Sequence, residues 1–172
     1  MTLDAIRQCV QRIRKNRETL SVQELCEAEG ILVQYFPMGD GPGACKGFFI
    51  RKFGVSCITI NSDLSARNQE VILAHEFGHA CLHEHLAEVS DFLDVFRNGE
   101  SSICEREANQ FAAELLLSDD AVSELLMDGY SLKEAAQTLG VPVELLMVKI
   151  RMMRKDAGLI SVPSNFMKDV VG

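Results

Sequence analysis

Five consecutive residues, His75-Glu76-Phe77-Gly78-His79, combine the side chains from which a hydrolytic metal site is made. On a helix, positions i and i+4 share a face one turn apart. The two imidazoles can then converge on one cation with Zn–N bonds of about 2.0–2.1 Å. Glu76 lies about 100° round the helix, so it need not ligate and is free to address water beside the ion. Zinc lowers the pKa of such a water toward about 7, and a carboxylate can take its proton as it attacks a carbonyl, then pass the proton to the leaving amine. The bland alternative is two surface histidines beside an unrelated glutamate. The apolar flanks Val71-Ile-Leu-Ala74 and Ala80-Cys-Leu82 argue against it. They make the helix largely buried, and buried imidazoles need partners.

A catalytic zinc takes a third protein ligand and keeps a position open. His85 has the spacing of a third histidine in the pattern H-E-x-x-H-x-x-G-x-x-H, but that pattern needs a glycine where this chain has Leu82. His83 extends the histidine stripe, yet a straight helix carries it about 12 Å from His75, too far to close a tetrahedral site with both others. Its expected role is packing, support of a ligand or the rim of the site. The third candidate is a carboxylate from Glu105-Arg-Glu-Ala-Asn109 on a later helix. Glu105 shares a face with Ala108, Asn109 and Ala112, whose small side chains allow close helix approach, and Asn109 could hydrogen-bond a ligand histidine. Glu107 points elsewhere, with Phe111 and Glu114, so the facing argument prefers Glu105. For both glutamates the alternative is a solvated helix face.

The elements that must hold these residues are legible around them. Ile6, Val10 and Ile13 recur at helical spacing within 3–16. Ser21 can cap a second helix, which Gly30 stops. Ile31–Phe36 reads as a strand closed by the turn-rich 37–43. Gly47–Lys52 and Val55–Ile60 read as a hairpin across Phe53-Gly54. Ser65 can cap the helix carrying His75, which runs to about Glu84. Residues 85–100 form an acidic connector, and a strong helix spans about 102–117. Further helices are expected near 119–127, 131–139 and after Pro142. The pattern predicts an α+β protein: a small antiparallel sheet of about three strands packed on a helical bundle.

The chain has 172 residues, 17 Lys+Arg against 25 Asp+Glu, and 47% hydrophobic residues. This suits one domain with a small appendage and a real core without disulfides. The six cysteines are scattered with no C-x-x-C pair, so they read as reduced thiols serving as small apolar residues rather than as metal ligands. No apolar run approaches the roughly 18 residues of a membrane span. The segment 1–15 reads as a basic amphipathic helix without a secretory signal, so a cytoplasmic protein is expected. The net charge of −8 is concentrated: residues 61–130 carry three basic and fifteen acidic groups. A nucleic-acid coat would not look like this.

Together, Val22-Gln-Glu-Leu-Cys-Glu-Ala-Glu-Gly-Ile31, the strand end Ile58–Asn61, His75–His83 and Glu105–Leu117 resemble the ImmA/IrrE metallopeptidases over roughly residues 20–120. The resemblance implies a zincin-like core over 1–118, with the H-E-x-x-H helix at its active site. It also implies a gluzincin-type site with one Zn2+, in which His75, His79 and Glu105 are the ligands and Glu76 is catalytic. His83 and Asn109 remain supporting or substrate-side candidates. The implied activity is intracellular endoproteolysis of a helix-turn-helix repressor, an anti-repressor role in a mobile element or stress response. Ser118 departs from the proline that such proteins often carry there, which touches only the local helix end.

Residues 119–172 form a helical segment in which Ser131–Met147 reads as helix, glycine turn, helix, with Lys149, Arg151, Arg154 and Lys155 downstream. This is the outline of a DNA-binding helix-turn-helix. The second helix, however, opens with Pro142-Val-Glu-Leu-Leu-Met-Val148, mostly core material. With the acidic balance, this favours packing on the core over direct DNA binding. Two functions therefore compete. One is a zinc endopeptidase with a protein substrate. The other is a DNA- or partner-binding regulator whose zinc is only structural. Glu76 favours the first, since a structural site has no use for a carboxylate beside its ligands. Tyr35, Tyr130 and His83 are available as oxyanion partners, and the sequence does not choose among them.

Overall fold

The computed structural model describes residues 1–84 and 100–157. His85 and almost all of the acidic connector lie outside the described residues. The chain divides into two compact units, one of Met1–Ala112 and one that starts at Ala113.

The first unit opens with α1 (Leu3–Arg14), whose Leu3, Ile6, Val10 and Ile13 are buried along one face. Next comes α2 (Val22–Ala28), started by a capping box in which Ser21 and Glu24 satisfy each other's backbone N–H. Three strands follow, β1 (Ile31–Phe36), β2 (Gly47–Lys52) and β3 (Val55–Asn61). Phe53 and Gly54 both have positive φ, 53° and 76°, the backbone of a type I′ hairpin turn. They join β2 to β3 in antiparallel register, with Phe49 opposite Ile58.

The α+β architecture is as expected, but the sheet is mixed rather than antiparallel. Its order is β1-β3-β2, and β1 runs parallel to β3 with Ile31 opposite Ser56. The reason lies at the end of β3. The buried Asn61 side chain donates to the carbonyls of Gly39 (2.7 Å) and Cys45 (2.8 Å) and accepts from the Met38 N–H (3.1 Å). It stitches the 37–46 loop around the end of β3. The chain leaves β1 on one edge, crosses, and returns as β2 on the other.

Helix α3 (Ala66–Leu82) starts at the Ser65 cap, ends with His83 at its C-cap, and packs on β2 and β3. Gly47 makes this approach possible, because a Cβ there would stand 2.7 Å from Ile72 Cγ2. Helix α4 (Glu100–Leu116) lies along α3 through residues of the first unit. Phe77 and Phe111, both fully buried, meet edge to face at 5.5 Å.

The second unit contains α5 (Asp119–Met127), α6 (Leu132–Leu139) and α7 (Val143–Ala157), which pack on one another. Ser118 finds its use here: its hydroxyl accepts the Ala121 N–H and caps α5. Gly140 ends α6 in the left-handed region at φ 73°. Lys149 is buried, with its ammonium 2.8 Å from Glu114 and 2.6 Å from Asp119. It is thereby withdrawn from any surface charge patch, whereas Arg151 and Arg154 are exposed. Among the described residues, no helix is long and apolar enough to cross a membrane.

Candidate metal centre

Helices α3 and α4 bring three donors to one point. His75 Nε2 and His79 Nε2 are 3.2 Å apart. Glu105 reaches both: its Oε2 lies 3.3 Å from His75 Nε2 and its Oε1 lies 3.2 Å from His79 Nε2. Among the described residues these three form a group able to hold a metal ion. The helical i, i+4 spacing supplies the histidine pair. The carboxylate arrives because Ala108 and Ala112, both fully buried, leave room on α4, and Gly78 leaves room on α3.

The chemistry of this donor set fits a cation. His75 Nδ1 lies 3.0 Å from Asn109 Oδ1, an acceptor, so its proton belongs on Nδ1. Nε2 then presents a lone pair toward a second imidazole and a carboxylate. Acceptors facing one another at such distances repel unless positive charge lies between them. Protons can partly serve. Burial disfavours the charged form of His75, but the hydrogen bond to Glu105 and the charges of Glu76 and Glu105 outweigh it and raise its pKa above the ordinary value. Glu105 is held far below the usual carboxylate range, first by its hydrogen bond to His75 and then by that to His79. A divalent ion satisfies all three donors at once, and two imidazoles with one carboxylate suit zinc.

Glu76 is half-buried beside this point. Burial is the chief cause that raises its pKa, opposed by His75 and His79, and the backbone N–H of Phe49 on β2 donates to its carboxylate. His83 and Asn109 lie behind the donors. His83 Nδ1 is 3.3 Å from His79 Nδ1, and Asn109 meets His75 as described. Tyr35 has its hydroxyl on Gln23 Oε1 at 3.2 Å.

Glu107 departs from the solvated-face alternative. It is buried, with Oε2 3.0 Å from His83 Nε2, and its Oε1 meets the amino group of Met1. Burial works toward its neutral form, yet the His83 hydrogen bond and the Met1 ammonium keep its pKa below the ordinary value. The clue in the sequence is that His83 extends the stripe of His75 and His79 by one more turn. A buried third imidazole needs its own acceptor, and Glu107 is the carboxylate two residues beyond the candidate ligand.

A mixed three-stranded sheet backed by a helix bearing H-E-x-x-H, with a glutamate delivered by a later helix, defines a zincin-like metallopeptidase. Residues 26–151 match the family model of the IrrE N-terminal-like domain, and the chain belongs to that peptidase family. It is similar to the metallopeptidase ImmA of Bacillus subtilis (strain 168), 29% identical over 145 residues that cover 82% of this chain and 81% of the relative. It is also similar to the uncharacterized immunity region protein 2 of Bacillus phage phi105, 32% identical over 144 residues that cover 84% and 88%. The chain is a metallopeptidase, a hydrolase that acts on protein.

Proposed function

We propose that the chain is a cytoplasmic zinc endopeptidase that cuts one specific protein partner, a helix-turn-helix repressor, and so relieves repression. The observation that carries this reading is the convergence of His75, His79 and Glu105 within 3.3 Å of one another, with Glu76 next to them on α3. His75, His79 and Glu105 would hold one zinc ion. Zinc supplies Lewis acidity, polarising a carbonyl and making water acidic enough to lose a proton near neutral pH. Glu76 takes the proton from the attacking water and delivers it to the nitrogen of the departing amine. Its burial supports both steps, since a carboxylate with raised proton affinity is a better base and holds the proton until the amine needs it. The Phe49 N–H fixes the carboxylate against rotation. Asn109 holds the His75 ring through Nδ1.

Two observations support a repressor as substrate. One relative bears the name of a phage immunity region protein. Residues 61–130 carry three basic and fifteen acidic groups, a charge balance that would attract a basic DNA-binding protein. The test is to co-express the chain with the helix-turn-helix regulator encoded beside its gene, as wild type and as Glu76→Gln. The expected result is regulator fragments with wild type and intact regulator with Glu76→Gln, which keeps its zinc. Intact regulator with both chains overturns the substrate assignment, and equal fragments with both overturn the role of Glu76.

A further inference from the structure

We infer that Glu107 is a positioning residue of the metal site, acting through His83 to fix the proton on the far nitrogen of His79. The inference rests on the reading of His75, His79 and Glu105 as ligands and extends it to the atoms behind them.

A neutral imidazole has one proton and one lone pair. His79 turns Nε2 toward His75 and Glu105, so a cation there needs the lone pair on Nε2 and the proton on Nδ1. That proton points at His83 Nδ1, 3.3 Å away. His83 can accept it only through an unprotonated Nδ1, which places its own proton on Nε2. There Glu107 Oε2 lies 3.0 Å away, and a carboxylate only accepts. The carboxylate thus dictates the tautomer of His83, and His83 dictates that of His79. The opposite arrangement puts protons on both facing Nδ1 atoms or on the metal side of His79, and either breaks the chain of donors.

Burial gives the relay its weight. The side chains of His83 and Glu107 are 8% and 5% exposed, so water is poorly placed to substitute for either partner. The two ligand histidines are held by different means: His75 directly by an amide, His79 through an imidazole and a carboxylate. Glu107 sits two residues from Glu105 on α4, so a single helix supplies a ligand, the support of one histidine (Asn109) and the support of the other.

The experiment compares wild type, Glu107→Gln and Glu107→Leu for zinc affinity, by competition with a chromophoric chelator. Unfolding midpoints of all three serve as the folding control. Gln retains an acceptor for His83 and Leu does not. Glu107→Leu is expected to bind zinc about 10–100-fold more weakly, with Glu107→Gln within about threefold of wild type. Equal affinity for wild type and Glu107→Leu overturns the positioning role, as does an equal loss in Gln and Leu. Wild type that binds no zinc overturns the ligand assignment itself, a separate failure. Zinc-loaded wild type supplies a second readout that needs no variant to fold. Ring nitrogen NMR is expected to show protonated Nδ1 and metal-bound Nε2 on His79, with protonated Nε2 on His83. A proton on His83 Nδ1 overturns the relay.

Discussion

Gly78 of α3 lies so close to Ala108 of α4 that a Cβ added at 78 would stand 3.1 Å from the Ala108 Cα and 3.2 Å from its carbonyl oxygen. This contact sets the spacing of the two helices that carry the candidate metal donors, because Gly78 precedes His79 and Ala108 follows Glu105 by three residues. Alanine in place of Gly78 gains about 0.5–1 kcal/mol of helix propensity. It meets backbone atoms, which yield only if the helix moves, and overpacking costs about 1–3 kcal/mol. Gly78→Ala is therefore expected to destabilise by about 1 kcal/mol net and to weaken zinc binding, as read by urea unfolding and chelator competition. An unchanged or raised unfolding midpoint would contradict the close-approach account.

The same helix pair is held by Phe77 and Phe111, whose rings are 5.5 Å apart at an interplanar angle of 84°. Edge-to-face pairs are coupled by about 0.5–1.5 kcal/mol beyond the area they bury. A double-mutant cycle with Phe77→Leu and Phe111→Leu should return a coupling within that range. Simple additivity of the two losses would show that the rings only fill space.

If His75, His79 and Glu105 bind zinc as proposed, zinc should add stability as well as activity, since these residues come from separate helices. A ligand that binds only the folded state at 100 times its dissociation constant adds about 2.7 kcal/mol. Zinc titrated into the metal-free protein should raise the melting temperature, and Glu105→Gln should lose most of that rise because an amide is a poor zinc ligand. A full rise in Glu105→Gln would remove Glu105 from the ligand set.

Acid should weaken the capping box that starts α6. Glu134 accepts from the Ser131 hydroxyl at 2.6 Å and from its backbone N–H at 2.9 Å, and these bonds lower its pKa. A carboxyl whose pKa is lower folded than unfolded stabilises above the unfolded value, about 4.3, and loses that contribution as pH falls through the folded value. The stability gap between wild type and Glu134→Gln should be present at pH 7, shrink below about pH 4 and close in stronger acid. A gap of constant size across that range, measured as urea midpoints, would mean that the charge plays no part.

The features legible in the sequence are local. Ser21, Ser65, Ser118 and Ser131 each begin a helix because a hydroxyl accepts from the N–H only three residues on. The Phe53-Gly54 turn and the pairing of His75 with His79 are equally short-range. The rest follows from contacts between residues distant in the chain. β1 pairs in parallel with a strand some 25 residues on because Asn61 folds the intervening loop round the end of β3, and turn residues carry no record of that partner. Helical facing could nominate Glu105, but only the close approach at Gly78 brings it to the two histidines. Facing on its own helix points Glu107 away from Glu105, so helical periodicity alone does not bring it to the site. Its environment is set by His83, 24 residues earlier, and burial turns that carboxylate from a surface charge into a partner for an imidazole.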